Sequence, residues 1–232
     1  MILATGFTPK PDNAAKGIAV VELFTSEGCS SCPLADETLK EMTELFLRED
    51  KNVIALAFHV TYWNNLGWVD PYSQEMFTER QKVYAGKLSN TQSYTPQAVV
   101  NGAAEFVGSN VVAFRDLVTE AVAEAPVYTI DLEHKNTDGK QTLSYRLDKV
   151  PKNMVLNIAV IEKQVERQVL RGENKNKKLK HYNVVRVFKS EEAKAEGDIE
   201  ISWPSDLPRE KGNVVAYLQH KKTLKIVAGK TL

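Results

Sequence analysis

The chain has 232 residues, of which 43% are hydrophobic and 26% are charged, and its 30 basic residues balance its 30 acidic ones. This composition is typical of globular proteins and excludes collagen-like and wholly disordered chains. The longest apolar runs, such as Val53 to Phe58, are far shorter than the roughly 18 residues that span a bilayer, so no membrane span is predicted.

Charge and residue pattern both divide the chain near Pro126. Before Pro126 there are 9 basic and 16 acidic residues, and from Pro126 onward there are 21 and 14, so the two parts carry net charges of −7 and +7. We therefore predict a flexible leader over residues 1–16, an α/β domain over residues 17–125 and an all-β domain over residues 126–232. Few aromatic residues lie among the basic residues of the second part, so nucleic-acid binding is not predicted.

The first part has the pattern of alternating strands and helices. The apolar run from Gly17 to Ser26 and the apolar segment from Asn52 to Phe58 predict two strands of one sheet. Between them, apolar residues at helical spacing predict a helix: Ala35, Leu39, Met42 and Phe46. A helix from about Ser73 to Lys87, a hairpin at Asn101-Gly102 and a helix after Asn110 complete the order βαβαββα.

From Pro126 onward, apolar residues recur at every second position, which indicates strands. About seven short strands are predicted, and an antiparallel, sandwich-like all-β domain is the expected architecture. They cover these segments: 128–132, 143–147, 154–160, 184–188, 199–203, 214–218 and 224–227. The basic stretch from Arg171 to His181 (RGENKNKKLKH) is interpreted as a solvated loop, with a partner or substrate contact as the alternative.

The only two cysteines, Cys29 and Cys32, form a Cys-x-x-Cys motif where the first strand meets the first helix. This spacing is typical of redox exchange or, with further ligands, of a metal site. Only a thiolate attacks a disulfide, and the N-terminus of a helix favours an anion, so Cys29 is the predicted nucleophile and Cys32 the resolving thiol. Ser30 and Ser31 either donate hydrogen bonds to the thiolate or only cap the helix.

Further candidate residues follow the second strand in an aromatic-rich stretch. His59 has three interpretations: a structural hydrogen bond, proton transfer or tuning of the thiolate, or metal ligation. Tyr62, Trp63 and Trp68 either build an apolar substrate surface near Cys29 or pack their loop onto the core.

The CSSC motif at a helix start, followed by Tyr94-Thr95-Pro96 and a Val-Val-Asn-Gly hairpin, resembles the thioredoxin superfamily. The segments VELFTSEGCSSCPLAD, AFHVTYWNNLGWVDPYS, YTPQAVVNG and GENKNKKLKHYNVVR more closely resemble a bacterial family of secreted thioredoxin-like proteins of unassigned function. This resemblance implies an α/β thioredoxin-like N-terminal domain, an all-β C-terminal domain and a periplasmic or secreted location.

The resemblance also implies roles for three residues. Pro96 is expected to follow a cis peptide bond and to face the dithiol, while the backbone of Thr95 binds substrate. Glu22 is expected either to be the buried acid that accepts the proton of Cys32 or to form a salt bridge at a strand edge.

Together these features predict a thiol–disulfide oxidoreductase that acts on protein or small-molecule disulfides. It needs no cofactor besides its own redox-active disulfide and exchanges electrons with an unidentified redox partner. Two alternatives stay open. One is a protein that delivers copper or another soft metal, with Cys29, Cys32 and His59 as ligands. The other is a non-catalytic binding module on a thioredoxin scaffold.

Overall fold

The computed structural model describes residues 16–89, 92–137 and 140–232, so the predicted leader lies outside the described residues except for Lys16. Three α helices are found in these ranges: α1 (Cys32–Arg48), α2 (Glu75–Tyr84) and α3 (Val111–Ala123). The strands are β1 (Ile18–Thr25), β2 (Asn52–His59), β3 (Gln97–Val100), β4 (Ala104–Val107), β5 (Ile130–Thr137), β6 (Lys140–Leu147), β7 (Met154–Gln168), β8 (Lys178–Glu192), β9 (Glu196–Glu200), β10 (Gly212–His220) and β11 (Ile226–Thr231). Short 3-10 turns cover Asn64–Leu66 and Arg209–Lys211, and a π-helical turn, Ala85–Ser89, extends α2.

The strands form two sheets. A mixed eight-stranded sheet has the order β11-β10-β7-β8-β2-β1-β3-β4, and a three-stranded sheet has the order β5-β6-β9. β1 and β2 are parallel along their whole length, from the pair Ile18–Asn52 to the pair Thr25–His59. β2 and β8 pair only at Ala57 and Val184. Strands from both sides of Pro126 therefore share one sheet.

The predicted fold class, an α/β thioredoxin-like domain followed by an all-β sandwich-like domain, is wrong. The described chain is mostly β, with only three α helices, and its main sheet contains eight strands of mixed direction. The physical reason lies in β7 and β8, which are 15 residues long each. Their apolar residues are buried against β1 and β2 in one shared core cluster, so the second part of the chain extends the sheet of the first.

Several local predictions are confirmed. α1 buries Ala35, Leu39, Met42 and Phe46, the four residues on its predicted apolar face. β3 and β4 form a hairpin at Asn101-Gly102, where both residues have positive φ. Gly102 is required there, because a Cβ would lie 2.0 Å from the carbonyl oxygen of Leu224. Seven strands follow Pro126 in the described residues, as predicted, although they do not form a separate sandwich.

Helices that could cross a membrane are not found in the described part of the chain, because none is both long and apolar enough.

Candidate active site

Cys29 and Cys32 form a disulfide in the connection between β1 and α1. α1 begins at Cys32 with Ser31 as its N-cap, so Cys29 lies three residues before the first helical residue, in the cysteine turn (residues 26–31). The hydroxyl of Ser31 is 3.4 Å from the sulfur of Cys29. Ser30 and Ser31 are exposed, whereas both cysteines have no exposed surface. The disulfide thus lies at the helix N-terminus and is buried.

The covering loop (residues 169–177), which joins β7 to β8, lies against the cysteine turn. The buried side-chain amide of Asn174 donates hydrogen bonds to the carbonyl oxygens of Glu27 and Cys29, both at 2.9 Å. The carboxylate of Glu173 accepts a hydrogen bond from the backbone N–H of Ser30 at 3.0 Å. Eight of residues 171–181, interpreted as a solvated loop, are exposed, but Asn174, Leu179 and His181 are buried, and residues 178–181 belong to β8. Three hydrogen bonds attach the covering loop to the cysteine turn.

Beside the disulfide lies a buried ionic cluster formed by Glu27, Asp36 and His181. The Nδ1 of His181 is 3.0 Å from Asp36 Oδ2, and its Nε2 is 3.4 Å from Glu27 Oε1. Burial alone would lower the pKa of His181, but hydrogen bonds and charge interactions with Asp36 and Glu27 raise it to about 10. An imidazolium between two carboxylates therefore links β8 to the cysteine turn, through Glu27, and to α1, through Asp36.

A second buried pair, His59 and Asp70, adjoins this cluster. His59 Nδ1 is 2.7 Å from Asp70 Oδ2, which also accepts the backbone N–H of Glu27 at 2.8 Å. Although burial favours the neutral acid, His59 and the N–H groups of Glu27 and Tyr72 hold the pKa of Asp70 below its usual value. The ring of His59 lies edge-to-face with His181, with centroids 4.9 Å apart. The structure thus brings His59 to the site, with Nε2 buried and without a hydrogen-bond partner among the described residues.

The aromatic residues contact the cysteine turn from the opposite loop. The indole N–H of Trp68 donates to Glu27 Oε2 at 2.7 Å. The indole of Trp63 donates to the hydroxyl of Thr95 at 2.8 Å, and a Cβ on Gly28 would lie 3.0 Å from the Cβ of Trp63. Trp63 therefore joins the cysteine turn to the Thr95-Pro96 segment.

Two further predicted site residues, Pro96 and Tyr62, differ in their burial. The Thr95–Pro96 peptide bond is cis, which confirms the expectation, and Pro96 is buried. Tyr62 keeps about a third of its side chain exposed and lines the surface beside Trp63.

Glu22 lies in a separate polar cluster within the core. Its carboxylate accepts hydrogen bonds from Arg80 at 3.0 and 3.1 Å and from the hydroxyls of Tyr84 and Tyr217. Both oxygens of Glu22 are therefore engaged by α2 and β10, and none of these partners belongs to the cysteine turn.

Comparison with known proteins places the chain in a family. Residues 20–219 match the model of a family described as a protein of unknown function, DUF1223. This chain belongs to the DUF1223 family. The crystal structure of a protein from Agrobacterium tumefaciens is similar over 96% of both chains, with 26% identity and a TM-score of 0.68. HBP35 of Porphyromonas gingivalis shares the fold, with a TM-score of 0.70 and 15% identity over 95% of this chain and 76% of its own. No curated protein matches the sequence.

Several site residues of this DUF1223 protein were not among the sequence candidates. Asp36 lies four residues after Cys32 on α1, a helical spacing that could have indicated it. Asn174 and His181 are 145 residues from their partners, and no local pattern links them to the cysteines. Only the quoted segment GENKNKKLKHYNVVR pointed to that region.

The described residues give no geometric support to the interpretation of the cysteine motif as a metal site. Within residues 16–89, 92–137 and 140–232, no group of three or more His, Cys, Asp and Glu side chains has an arrangement that would hold a metal ion.

Proposed function

We propose that this DUF1223 protein is a thiol–disulfide oxidoreductase that works through Cys29 and Cys32. The observation that carries the proposal is that the only two cysteines pair with each other in the turn that enters α1. The unpaired N–H groups and the positive dipole end of the first helical turn favour a thiolate there. The hydroxyl of Ser31 at 3.4 Å adds a hydrogen-bond donor for the sulfur of Cys29.

The proposed exchange passes two electrons between the dithiol and a substrate disulfide. The Cys29 thiolate attacks one substrate sulfur, which forms a mixed disulfide and releases the other substrate sulfur as a thiolate. The thiol of Cys32 then loses its proton and attacks the sulfur of Cys29. This step forms the Cys29–Cys32 disulfide and releases the first substrate sulfur, so that the protein is oxidised and the substrate reduced. The reverse sequence oxidises a dithiol substrate, and a separate redox partner restores the starting form.

Asp36 is the proposed acceptor for the proton of Cys32. An α-helix brings side chains at positions i and i+4 to one face, with roughly 5–6 Å between their Cβ atoms. Asp36 Oδ1 is buried and has no hydrogen-bond partner in the described part of the chain, while Oδ2 is bound by His181. His181 contacts only Oδ2 of Asp36, which leaves Oδ1 as the oxygen that would take the proton.

We propose that the substrate is a protein with exposed apolar segments. Four apolar side chains on segments that include or contact the residues of the candidate site are each more than half exposed: Leu34, Leu66, Val69 and Leu170. Leu34 lies on α1, Leu66 and Val69 lie in the aromatic-rich stretch after β2, and Leu170 lies in the covering loop. The last two segments are close together, since a Cβ on Gly172 would lie 3.3 Å from the Cβ of Trp68. As the resemblance to thioredoxin-like proteins implies, the backbone of Thr95 is the proposed contact for the substrate strand.

Exchange at this site requires movement of the covering loop, because the disulfide has no exposed surface. The attacking sulfur reaches Cys29 only after the hydrogen bonds of Asn174 and Glu173 to the cysteine turn are broken. A periplasmic or secreted location, where disulfides persist, is part of the same proposal.

Equilibration of the protein with graded thiol–disulfide buffers tests the proposal. We expect a reversible two-electron transition, and we expect the Cys32→Ser variant to form a stable mixed disulfide through Cys29 whereas Cys29→Ser does not. A reduction potential below about −300 mV is typical of a structural disulfide. Such a value, or equal trapping by both variants, would contradict the proposed enzyme and favour a binding module.

A further inference from the structure

A cavity of about 660 Å³ opens at the end of the main sheet that is remote from the disulfide. It lies between the starts of β1 and β2, at Ile18 and Asn52, the middle of β7 and the start of β10. The cysteine turn follows the other end of β1, which is about 23 Å away at 3.3 Å per residue. The cavity is therefore a separate feature from the proposed active site.

The topology of the sheet explains why the cavity exists. β2 and β8 pair only at Ala57 and Val184, so the two strands diverge toward the start of β2. Asn183, which adjoins that pair and has a positive φ, lines the cavity together with Asn52. Because β2 and β8 separate at this point in the described residues, the strands on the two sides of the gap form the walls of the cavity. Its volume lies within the range of small-molecule sites.

The lining combines an apolar interior with cationic groups and lacks acidic ones. The interior is formed by Ile18, Ile54, Ile161 and Val215. The lining also includes three lysines, Lys16, Lys163 and Lys230. No Asp or Glu is present among the described lining residues. In a protein with equal numbers of acidic and basic residues, this local imbalance favours an anion.

The three lysines differ in the hydrogen bonds and ion pairs that their side chains make. Lys16 pairs with Asp50, and Lys163 donates to the carbonyl oxygen of Glu210 at 3.1 Å. The side chain of Lys230 has no hydrogen bond or ion pair with a described residue, so its charge is available to a ligand.

We propose that this cavity binds a small anionic amphiphile, such as a medium-chain carboxylate. The alkyl part would lie against Ile18, Ile54, Ile161 and Val215, and the carboxylate would pair with Lys163 and Lys230 at the rim. Burial of the chain supplies affinity at about 25 cal/mol per Å² of apolar surface, and the lysines select the charge of the head group.

The test is a fluorescence titration with dansyl-labelled undecanoic acid. We expect saturable binding at one site, competition by decanoate, and much weaker competition by decanol and decylamine. The double variant Lys163→Gln/Lys230→Gln should bind about tenfold more weakly. Lys222→Gln, which removes an exposed lysine from the turn between β10 and β11, should bind as the unaltered protein does.

A second variant fills the cavity without changing its charge. Thr129 is exposed at the mouth, so Thr129→Trp should block binding while the melting temperature stays unchanged. Cys29→Ser should bind the probe normally, because the cavity does not depend on redox activity. Equal binding by the double variant and Lys222→Gln, equal competition by decanol, or stronger competition by an acidic peptide would overturn the proposal.

Discussion

The side chain of Asn174 donates a hydrogen bond to the backbone carbonyl of Cys29 across 145 residues of sequence. The same amide group bonds the carbonyl of Glu27, so one residue from the C-terminal half fixes the cysteine turn at two points. Because Asn174 has no exposed surface, these bonds form only when the covering loop is seated over the disulfide. We therefore predict that access to the disulfide depends on the seating of the covering loop against the cysteine turn.

Replacement of Asn174 by Ala should uncover the disulfide. We expect the free energy of unfolding to fall by about 1–3 kcal/mol, because two buried hydrogen bonds are lost. The rate of reduction by dithiothreitol should rise by about an order of magnitude, since the uncovered state becomes more populated. Both quantities are measured on the same sample, by urea denaturation and by thiol release.

Lys175→Ala is the matched control, since Lys175 lies in the same loop and its exposed side chain has no hydrogen bond or ion pair with a described residue. This variant should leave both quantities unchanged. A reduction rate in Asn174→Ala equal to that of the control would show that the covering loop does not limit access.

The charge of His181 should make stability depend on pH. Its folded-state pKa of about 10 lies above the ordinary value of 6.5. The resulting stabilisation is fully present below about pH 6.5 and is lost as the pH rises through about 10. His181→Gln should cost about 3 kcal/mol at pH 7, because it leaves two carboxylates buried without their cation. The stability difference from the unaltered protein should shrink between pH 7 and 10.

Urea denaturation of both proteins across this pH range gives the difference directly. His134→Gln, at an exposed position on β5, serves as the control for loss of a histidine. A stability difference that stays constant from pH 7 to pH 10 would show that His181 is neutral in the folded protein.

Local parts of this fold could be predicted from sequence, but the partners of the strands could not. The periodicity of α1 and the Asn101-Gly102 hairpin depend on neighbouring residues, and both predictions are confirmed. Alternating apolar residues indicate a strand without indicating which strand lies beside it. Val184 and Ala57 pair across 127 positions, and this single bridge joins the two halves of the chain in one sheet. The predicted separate β domain is wrong for this reason.

The candidate site shows the same limit. The helical position of Cys32 and the nearness of His59 followed from local order along the first two strands. By contrast, Asn174 and His181 reach the cysteine turn from β8 and its preceding loop, which a sequence pattern interprets as solvent-exposed. Residues brought in by long-range pairing were therefore the ones that sequence reasoning missed.

Loss of the Trp63 indole N–H should affect substrate use more than stability. In Trp63→Phe, Thr95 loses its hydrogen bond at 2.8 Å while the aromatic ring is retained. We expect a stability loss of about 1 kcal/mol and a KM for a disulfide-containing protein raised severalfold, because the Thr95 segment is less firmly held. Steady-state kinetics and thermal unfolding check both values.

Trp203→Phe provides the matched control for that prediction. Trp203 donates a hydrogen bond of 2.7 Å to the carbonyl of Leu207, outside the cysteine turn. This variant should lose similar stability and keep the KM. A KM raised equally in both variants would mean that Trp63 acts only through overall stability.

Neutralising Glu22 and neutralising Asp36 should have different effects on stability and on disulfide exchange. Glu22→Gln removes the buried charge that pairs with the partly buried Arg80 and should cost about 3 kcal/mol of stability. It should leave the pH dependence of disulfide exchange unchanged, because all its described partners lie on α2 and β10. Asp36→Asn should instead slow the resolving attack of Cys32, since the nearby carboxylate that accepts its proton is absent. Rapid-mixing measurements of mixed-disulfide decay across pH separate the two. A pH profile altered by Glu22→Gln and unaltered by Asp36→Asn would assign the proton acceptor to Glu22, against the geometry of α1.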